Sequence, residues 1–493
     1  MYKMTRVFLS LLLLSAIGLQ AQKNAFLERN YWKKNPNVAQ IKSEIEKGSD
    51  PAQFNSNAFD ATVYAILEDA SRESVQFLLT QKGNDVNKIT HDGRTYIFWA
   101  AYKGNTELMQ YLIDKGAETN LLDDKGYSIL NFAASAGQQN TAVYDLCLKH
   151  GANLKKDVDH DGANALLLSI ASDKDFALAN YFVSKGLDLK SVDANGNTAF
   201  NYAARSGNLS TLKGLLEKGV KFNDNAMIMA SQGTRSSANT LEVYQYLESL
   251  KIKPTAIGKN GENALHNVVK KEKQADVIAY FIAKGVDVNQ PDKDGNTAFI
   301  NAASANSDLE IIKLLASKVK NFNQVNKKGV SALALAVRNN SPEIVTFLIE
   351  KGADVHIVDA NGDNLASYLI QSYNPEKTAI FESKIKILQD KKFNIAAPQK
   401  NGNTLYHLAV AKNDLKLLKA IARFKADVNA KNAEGLTALH KAAMVANDDS
   451  LLKYLIEIGA KKDSLTEFKE TAFDLATENE SLKKNQTAID FLK

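Results

Sequence analysis

The chain has 493 residues, of which 45% are hydrophobic, and a single cysteine. Its formal net charge is +5, from 61 basic and 56 acidic residues, and this near balance argues against general affinity for nucleic acid or for an anionic membrane surface. A single globular core would be unusual at this length, and a lone cysteine excludes an intrachain disulfide.

The N-terminus has the features of a secretory signal. Lys3 and Arg6 precede an almost wholly apolar run at 7–17, and Ala21 is a small residue suited to cleavage. The alternative is a retained anchor helix, but the run is shorter than the roughly 20 residues that span a bilayer. We therefore expect residues 1–21 to be removed. The mature protein would act in the periplasm or in the secreted space, without stable membrane insertion.

A repeat dominates the rest of the chain. A glycine, usually preceded by Asn or Asp, returns at intervals near 33 residues, and Thr, Ser or Asn stands two residues after it. Asn-Gly and Asp-Gly favour tight turns, and Thr, Ser and Asn cap helix N-termini. The period predicts a stack in which each repeat contacts its neighbours. The glycines are Gly93, Gly126, Gly162, Gly196, Gly261, Gly295, Gly329, Gly362, Gly402 and Gly435, and the caps are Thr95, Ser128, Asn164, Thr198, Asn263, Thr297, Ser331, Asn364, Thr404 and Thr437.

Each repeat is predicted to contain two helices. The first follows the cap and contains small residues, such as Ala203-Ala204, that allow close packing. The second is more apolar and ends in Lys-Gly, as at Lys284-Gly285 and Lys351-Gly352. Glycine suits the left-handed position after a helix, and lysine suits the negative end of its dipole. We therefore expect helix-turn-helix repeats joined by short β-hairpin fingers.

These residues resemble the ankyrin repeat family. Besides the glycine and the cap, the likeness rests on His266, His407 and His440 in the fourth place of a T-x-L-H tetrapeptide, and on closing phrases such as Gly352-Ala353-Asp354-Val355-His356. The resemblance covers residues 37–493 and implies an all-α repeat solenoid of about 12 repeats. The family's usual proline after the cap is mostly Ala here, which should cost little stability.

The array is not uniform. Residues 22–36 precede it and are expected to form an N-terminal tail or cap, and the polar copy at 466–493 suits a C-terminal capping repeat. The period is broken near 138–140, within 221–259 and within 363–401. We interpret these segments as drift at surface loops. The alternative is that they shape a binding epitope, or divide the array near 221–259.

Motifs of catalysis and metal binding are missing from the sequence. It contains no H-E-x-x-H, no Walker-type loop and no G-x-S-x-G, and its 7 histidines do not cluster. Residues 157–162 resemble the first half of an EF-hand loop, but Leu168 stands where that loop needs Glu, so a plain hairpin tip is favoured. Cys147 lies between leucines and is expected to be a buried thiol. We expect no enzyme activity, no metal and no cofactor.

The resemblance implies that a protein partner binds at the finger tips and at the exposed end of each first helix. Several of these positions hold Tyr and Arg, which are typical hot-spot residues. The alternative is ordinary solvated surface, or aromatic packing against the preceding repeat. The aromatic patch is Arg94, Tyr96, Tyr102 and Tyr127; the basic patch is Lys270, Lys271, Lys327, Lys328 and Arg338; further candidates are Lys103 and Arg205.

Four functional classes remain open at this point. The leading hypothesis is a non-enzymatic scaffold that binds a protein along its concave face. A secreted effector or a toxin-neutralising protein is the second. A binder of an anionic ligand or a metal, through the insert regions or the basic patch, is the third, and anion affinity would fall with salt. An enzyme using an insert is the fourth, and its stability would rise with ligand.

Overall fold

The structure is a computed structural model that describes residues 24–235 and 237–493. The described residues form 28 α-helices, and their only β-structure is a set of isolated antiparallel bridges. Leu122 pairs with Ser128, and Val325 with Ser331, across two of the glycine turns. The predicted fingers are therefore present as minimal hairpins. The predicted signal segment at 1–21 lies outside the described residues.

Thirteen helix pairs follow one another from residue 61, each a first and a second helix. In most pairs the two helices pack together, and within each unit the first helices of adjacent repeats also contact each other. Two helices precede the pairs, α1 Arg29–Trp32 and α2 Val38–Glu46. The first six pairs are α3 Ala61–Leu67 with α4 Arg72–Leu79, α5 Tyr96–Lys103 with α6 Thr106–Asp114, α7 Ile129–Ser135 with α8 Thr141–Lys149, α9 Ala165–Ser169 with α10 Ala177–Ser184, α11 Ala199–Ala203 with α12 Leu209–Glu217, and α13 Asn225–Gln232 with α14 Leu241–Ser249. The other seven are α15 Ala264–Val268 with α16 Ala275–Ala283, α17 Ala298–Ala305 with α18 Leu309–Ala316, α19 Ala332–Asn339 with α20 Pro342–Glu350, α21 Leu365–Gln371 with α22 Thr378–Asp390, α23 Leu405–Val410 with α24 Leu415–Ile421, α25 Ala438–Val445 with α26 Ser450–Glu457, and α27 Ala472–Glu478 with α28 Glu480–Lys484.

The described chain divides into two compact units. The N-terminal unit runs to Ala203 and includes Lys213–Lys221, and the C-terminal unit comprises Ala204–Leu212 and Phe222–Lys493. The core of each unit is made by the apolar faces of its helices and by the small residues between first helices. Three kinds of hydrogen bond join one repeat to the next, and they explain why the period is so strict. The first and third kinds occur in both units, and the second, through histidines, occurs in the C-terminal unit.

The first kind joins successive fingers through their backbones. The Lys327 amide donates to the Asp294 carbonyl at 2.8 Å. The Ala360 amide donates to the Lys328 carbonyl at 2.9 Å. The turn glycine makes this approach possible: Gly329 has a φ of 72°, and a Cβ there would lie 2.6 Å from the Ala360 nitrogen. The repeated glycine is therefore required by stacking as well as by the turn.

The second kind uses the three histidines of the family tetrapeptide. His266 Nδ1 accepts from the Asn263 amide at 3.1 Å, and its Nε2 lies 3.0 Å from the Asn296 carbonyl of the next finger. Burial lowers the pKa of all three imidazoles, so the neutral ring bridges the two backbone groups. His407 and His440 make the same contacts. The interpretation of these histidines as structural is confirmed.

The third kind uses the asparagine of the Asp-Val-Asn phrases. Asn289 Nδ2 donates to the Lys318 carbonyl at 2.9 Å, and its Oδ1 accepts from the Lys320 amide at 2.9 Å. One side chain thus satisfies two backbone groups of the following repeat. The same pair of contacts is made by Asn87, Asn323 and Asn429.

Both ends of the described chain are closed. Phe26 and Trp32 are fully buried, and the Trp32 indole donates to the Phe26 carbonyl at 2.8 Å, so residues 24–36 pack as a cap on the first helices. At the other end α28 exposes its charged residues, including Lys483 and Lys484. Along residues 24–235 and 237–493, no helix combines the length and the apolar character that crossing a bilayer needs.

Candidate protein-binding surface

Arg94 is a core residue, so the expectation that it lies on the exposed surface is wrong. Its side chain is almost fully buried, and its Nε donates to Asp123 Oδ2 at 2.8 Å. The guanidinium also contacts the Asp92 carboxylate at 3.2 Å and lies 4.1 Å from the centre of the Phe132 ring. Asp123 is itself buried, and removing one partner of such a pair leaves an uncompensated charge. Arg94 therefore holds its finger to the next one.

Tyr96 also belongs to the core, which corrects the predicted aromatic patch. Its ring is fully buried, and its hydroxyl donates to Asp60 Oδ2 at 2.7 Å. The same carboxylate pairs with Lys88 Nζ at 2.7 Å and caps α3 by accepting from the Val63 amide. Burial, and then the charge of Asp60, raises the pKa of the Tyr96 phenol above its usual range. The alternative interpretation, packing against the preceding repeat, is the correct one for Tyr96.

Three candidates of the N-terminal unit remain at least partly exposed. Tyr102 is 38% exposed and stacks on Phe132, with ring centres 5.9 Å apart. Lys103 is half-buried, and its Nζ pairs with Asp69 at 2.6 Å. Tyr127 is half-buried. The accessible aromatic surface therefore consists of Tyr102 and part of Tyr127, without Arg94.

The basic candidates of the C-terminal unit are all accessible. Arg338 lies over the Tyr368 ring, with its guanidinium carbon 5.9 Å from the ring centre. The pKa of Lys270 is lowered, first by partial desolvation and then by the neighbouring charge of Lys271. Lys270, Lys327 and Lys328 are exposed, and Arg205, Lys271 and Arg338 are half-buried.

Most fingers are closed by a side-chain acceptor three residues before the turn position. Asp193 Oδ1 accepts from the amides of Asn195 and Asn197, both at 2.8 Å. In the calcium-like string, Asp159 does the same for its own finger, and burial raises its pKa. No group of three His, Cys, Asp or Glu side chains suited to a metal occurs among residues 24–235 and 237–493. Asp159 is therefore accounted for by the fold.

The residue four positions before the turn position is apolar and exposed in most fingers. Side chains alternate along an extended strand, so an inward acceptor turns the preceding residue outward. The exposed fraction of these side chains runs from 39% to 68%. Sequence reasoning missed them, although they all stand four residues before a turn position. We call the set the apolar ladder: Ile89, Leu122, Val158 and Val192 in the N-terminal unit, and Ile257, Val325, Val358 and Leu465 in the C-terminal unit.

A second recurring position lies at the finger tip, two residues after the apolar ladder. In the first five glycine turns of the C-terminal unit it holds lysine four times. All four lysines are exposed, and Lys293 Nζ donates to the neutral Asn260 side chain at 2.9 Å. In the N-terminal unit the same position holds histidine, aspartate or alanine. We call the four the lysine ladder: Lys259, Lys293, Lys327 and Lys400.

Comparison with known proteins identifies the repeats. A family profile described as ankyrin repeats, in three copies, matches overlapping stretches at 62–156, 139–226, 227–318, 265–359, 359–466 and 406–492. The chain belongs to the ankyrin repeat family. Ankyrin repeats generally mediate protein–protein interaction, and members of the family are typically non-enzymatic scaffolds. The fingers with the two ladders are thus ankyrin fingers.

Curated ankyrin proteins match this chain over the repeats alone. It is 30% identical over 132 residues to the phosphocholine transferase AnkX of Legionella pneumophila, covering 27% of this chain and 13% of that protein. It is 28% identical over 180 residues to the ankyrin repeat protein nuc-2 of Neurospora crassa, covering 36% and 16%. It is 30% identical over 109 residues to neurogenic locus notch homolog protein 1 of Mus musculus, covering 22% and 4%. The chain spans less than a fifth of each of these relatives.

Proposed function

We propose that this ankyrin repeat protein is a non-enzymatic scaffold that binds a protein partner through its fingers and the exposed ends of its first helices. The observation that supports the proposal is the apolar ladder, which places an accessible aliphatic side chain at one position on finger after finger. Adjacent repeats are already joined by hydrogen bonds at the turn glycines, the histidines and the asparagines. These hydrogen bonds between repeats do not involve the side chains of the apolar ladder.

Covering the ladder would provide the driving force for association. Removal of apolar surface from water is worth about 25 cal/mol per Å². Single exposed apolar residues are ordinary on a protein surface, but a set held at a fixed interval by a rigid backbone forms an extended contact line. In the N-terminal unit Tyr102 adds an aromatic side chain of the kind enriched in interface hot spots.

The proposal is tested by removing the ladder from one unit. The triple variant Ile89→Ser, Leu122→Ser, Val192→Ser changes only exposed side chains and should fold normally. Immobilised wild-type protein and this variant would be used to capture partners from an envelope extract of the source cells. We expect the variant to lose the main captured protein.

The matched control alters exposed aliphatic side chains on second helices, away from the fingers. Val183→Ser combined with Ile380→Ser serves this purpose, since both side chains are exposed by 40% or more. This control should capture the partner as well as the wild type does. Equal capture by the ladder variant would refute the proposed surface.

We also propose that the protein acts in the periplasm or in the secreted space. The support is the sequence pattern of residues 1–21, a basic start followed by a short apolar run and a small residue. Cell fractionation and N-terminal sequencing test it: the mature chain should begin at Gln22 and lie outside the cytoplasm. Uncleaved protein in the cytosolic fraction would contradict it. A role as secreted effector or as toxin-neutralising protein would use the same surface, and the identity of the captured partner separates these roles.

A further inference from the structure

We infer that His407 and His440 make the last repeats of the C-terminal unit, residues 404–493, sensitive to mild acid, because protonation of these two rings loosens the stacking of one repeat on the next. We call the two residues the histidine pair. The inference follows from three features: the consecutive interfaces that the pair bridges, the acceptor role of each Nδ1, and the groups that face the rings. Leu465 of the apolar ladder stands on the last finger, so this loosening acts on the proposed binding surface.

The histidine pair joins two consecutive interfaces. His407 lies on α23, and its Nε2 is 2.9 Å from the Leu436 carbonyl of the next finger. His440 lies on α25, and its Nε2 is 2.9 Å from the Ser464 carbonyl of the finger after that. A carbonyl only accepts, so each Nε2 carries the proton of the neutral ring. The two rings therefore connect three successive repeats in series.

Each ring needs an unprotonated Nδ1. His407 Nδ1 accepts from the Thr404 amide at 3.2 Å, and His440 Nδ1 accepts from the Thr437 amide at 3.1 Å. An amide only donates, so a proton on Nδ1 faces another N–H and breaks the bond at the start of the helix. The Thr404 hydroxyl lies 2.9 Å from His407 Nδ1 and is able to accept that proton. We therefore expect protonation to be more damaging at His440 than at His407.

The surroundings of His407 disfavour the charged imidazole. Burial is the largest cause and lowers its pKa. The charges of Lys441 and His440, both on α25, act in the same direction. The Leu436 carbonyl and the Glu434 carboxylate oppose them, but the pKa of His407 remains lowered. Because His440 is among the groups that lower this pKa, protonation of one ring opposes protonation of the other.

A similar balance holds at His440. Burial is again the largest cause of its lowered pKa, and the charge of Lys431 on the preceding finger adds to it. The Ser464 carbonyl and the Glu470 carboxylate oppose this without reversing it. Histidines of the unfolded chain have a pKa of about 6.5, so the unfolded chain takes up protons at a higher pH than the folded state does. The stability that the neutral rings provide is therefore lost as the pH falls below about 6.5.

The other copies of this tetrapeptide position lack one or more of these features. His266 bridges a single interface, and Asn263 Oδ1 lies 2.9 Å from its Nδ1, so a proton there finds an acceptor. In the N-terminal unit, Asn201 Oδ1 accepts from the Thr198 amide at 3.4 Å, so an asparagine is able to take the acceptor role of Nδ1. The side chains that hold this position in the N-terminal unit do not titrate, and they are Phe98, Asn131, Leu167 and Asn201.

The test is hydrogen exchange of the full chain, measured by mass spectrometry at about pH 7.5 and about pH 5.5, where carboxylates of ordinary pKa stay ionised. Each rate is divided by the intrinsic rate of the same amide at that pH. In α25 and α27 this corrected rate should rise by about tenfold or more in acid, because a pKa difference of one unit corresponds to about a factor of ten. In α11 of the N-terminal unit, where Asn201 holds the position, the rise should be several-fold smaller.

Asparagine variants decide whether the histidine pair is the cause. His407→Asn combined with His440→Asn keeps an acceptor at both positions and removes the titrating groups, so its corrected rates should differ by less than about twofold between the two pH values. His356→Asn changes an exposed histidine of the same unit and is the matched control, which should keep the acid response. Each single variant of the pair should retain only part of the response, and this decides the question if the double variant is unfolded at neutral pH.

Equal corrected rates of the wild type at both pH values would overturn the inference. A double variant that keeps the full acid response, or single variants that respond like the wild type, would overturn it as well. Exchange is measured on the protein alone, so each of these results leaves the proposed function standing. Loss of the proposed function is recognised separately, by partner capture that does not depend on the apolar ladder.

Discussion

The fingers of the two units share the same backbone conformation, but their charged side chains are paired differently. In the N-terminal unit the charged side chains of the fingers pair with one another. The Asp92 carboxylate forms salt bridges with Arg94 at 3.2 Å and with Lys125 at 2.6 Å. In the C-terminal unit the side chains of Lys293, Lys327 and Lys400 are exposed, and the Lys293 ammonium group donates to the neutral Asn260 side chain at 2.9 Å. One scaffold thus supports an internal ionic network in one region and a cationic edge in the other. Charge at the finger tip is free to vary because stacking depends on backbone groups and on buried side chains.

The largest expected effect breaks the ionic network of the N-terminal unit. Arg94→Met leaves the buried Asp123 carboxylate without its cation and should lower the free energy of unfolding by about 3 kcal/mol. Arg338→Met removes a half-buried cation of the C-terminal unit and should cost less than about 1 kcal/mol. Urea denaturation followed by circular dichroism measures both. Equal losses would mean that the two units do not differ in this respect.

A second effect compares the turn asparagines of the two units. Asn340 is buried, and its Nδ2 donates to the carbonyls of Ala303 and Asn306 at 3.0 and 2.8 Å. Asn340→Ala leaves these carbonyls unpaired and should cost about 2 kcal/mol. Asn140→Ala in the N-terminal unit, where the side chain is exposed, should cost about half as much or less. The same denaturation assay would contradict this ranking if Asn140→Ala were the more damaging change.

A third effect is specific to the C-terminal unit and depends on pH. Lys384 is buried on α22, its Nζ donates to the Val337 carbonyl at 2.8 Å, and burial lowers its pKa to about 8. The unfolded chain keeps this amine protonated to higher pH, so it binds more protons than the folded state between about pH 8 and 10.4, and stability must rise with pH there. Between pH 7 and 9 the wild type should gain about 1 kcal/mol relative to Lys384→Met. A constant difference between the two proteins would show that the amine stays charged in the folded state.

The smallest expected effect concerns the apolar ladder itself. Leu122→Ser should change stability by no more than about 0.5 kcal/mol, because the side chain is 63% exposed. Leu130→Ser, eight residues later in the same repeat, replaces a fully buried side chain and should cost more than about 2 kcal/mol. Thermal unfolding of the two variants compares their loss of stability, which should be small for an exposed binding position and large for a buried packing position. A large loss for Leu122→Ser would assign the ladder to the fold.

The fold could be predicted from sequence because its determinants are local and repeat. The turn glycine, the cap two residues later and the tetrapeptide histidine each act within a few residues or on the adjacent repeat, as at Gly329, Ser331 and His266. Most copies therefore carry the glycine and the cap, and three of them also carry the histidine. The expected secondary structure and stacking follow from these residues, and both are confirmed.

The binding surface was predicted less well because exposure is decided by residues far away in the sequence. The position of Arg94 at a finger tip predicted an exposed side chain, but Arg94 is buried because it pairs with Asp123 in the next repeat. Tyr96 follows a cap, where small residues are usual, and its hydroxyl is fixed by Asp60 of the preceding repeat. The apolar ladder was visible in the sequence. It was missed because the candidates were chosen among Tyr, Arg and Lys, and Ile, Leu and Val were not considered.

Cys147 gives the N-terminal unit a built-in reporter of local opening. The thiol is 8% exposed on α8, and burial raises its pKa to about 12, so reagents cannot attack it in the closed state. Because it is the chain's only cysteine, its rate of modification reports the transient unpacking of one repeat without any engineered label. A bound partner that tightens this repeat would slow that reaction, so one spectroscopic trace could register binding and stability together.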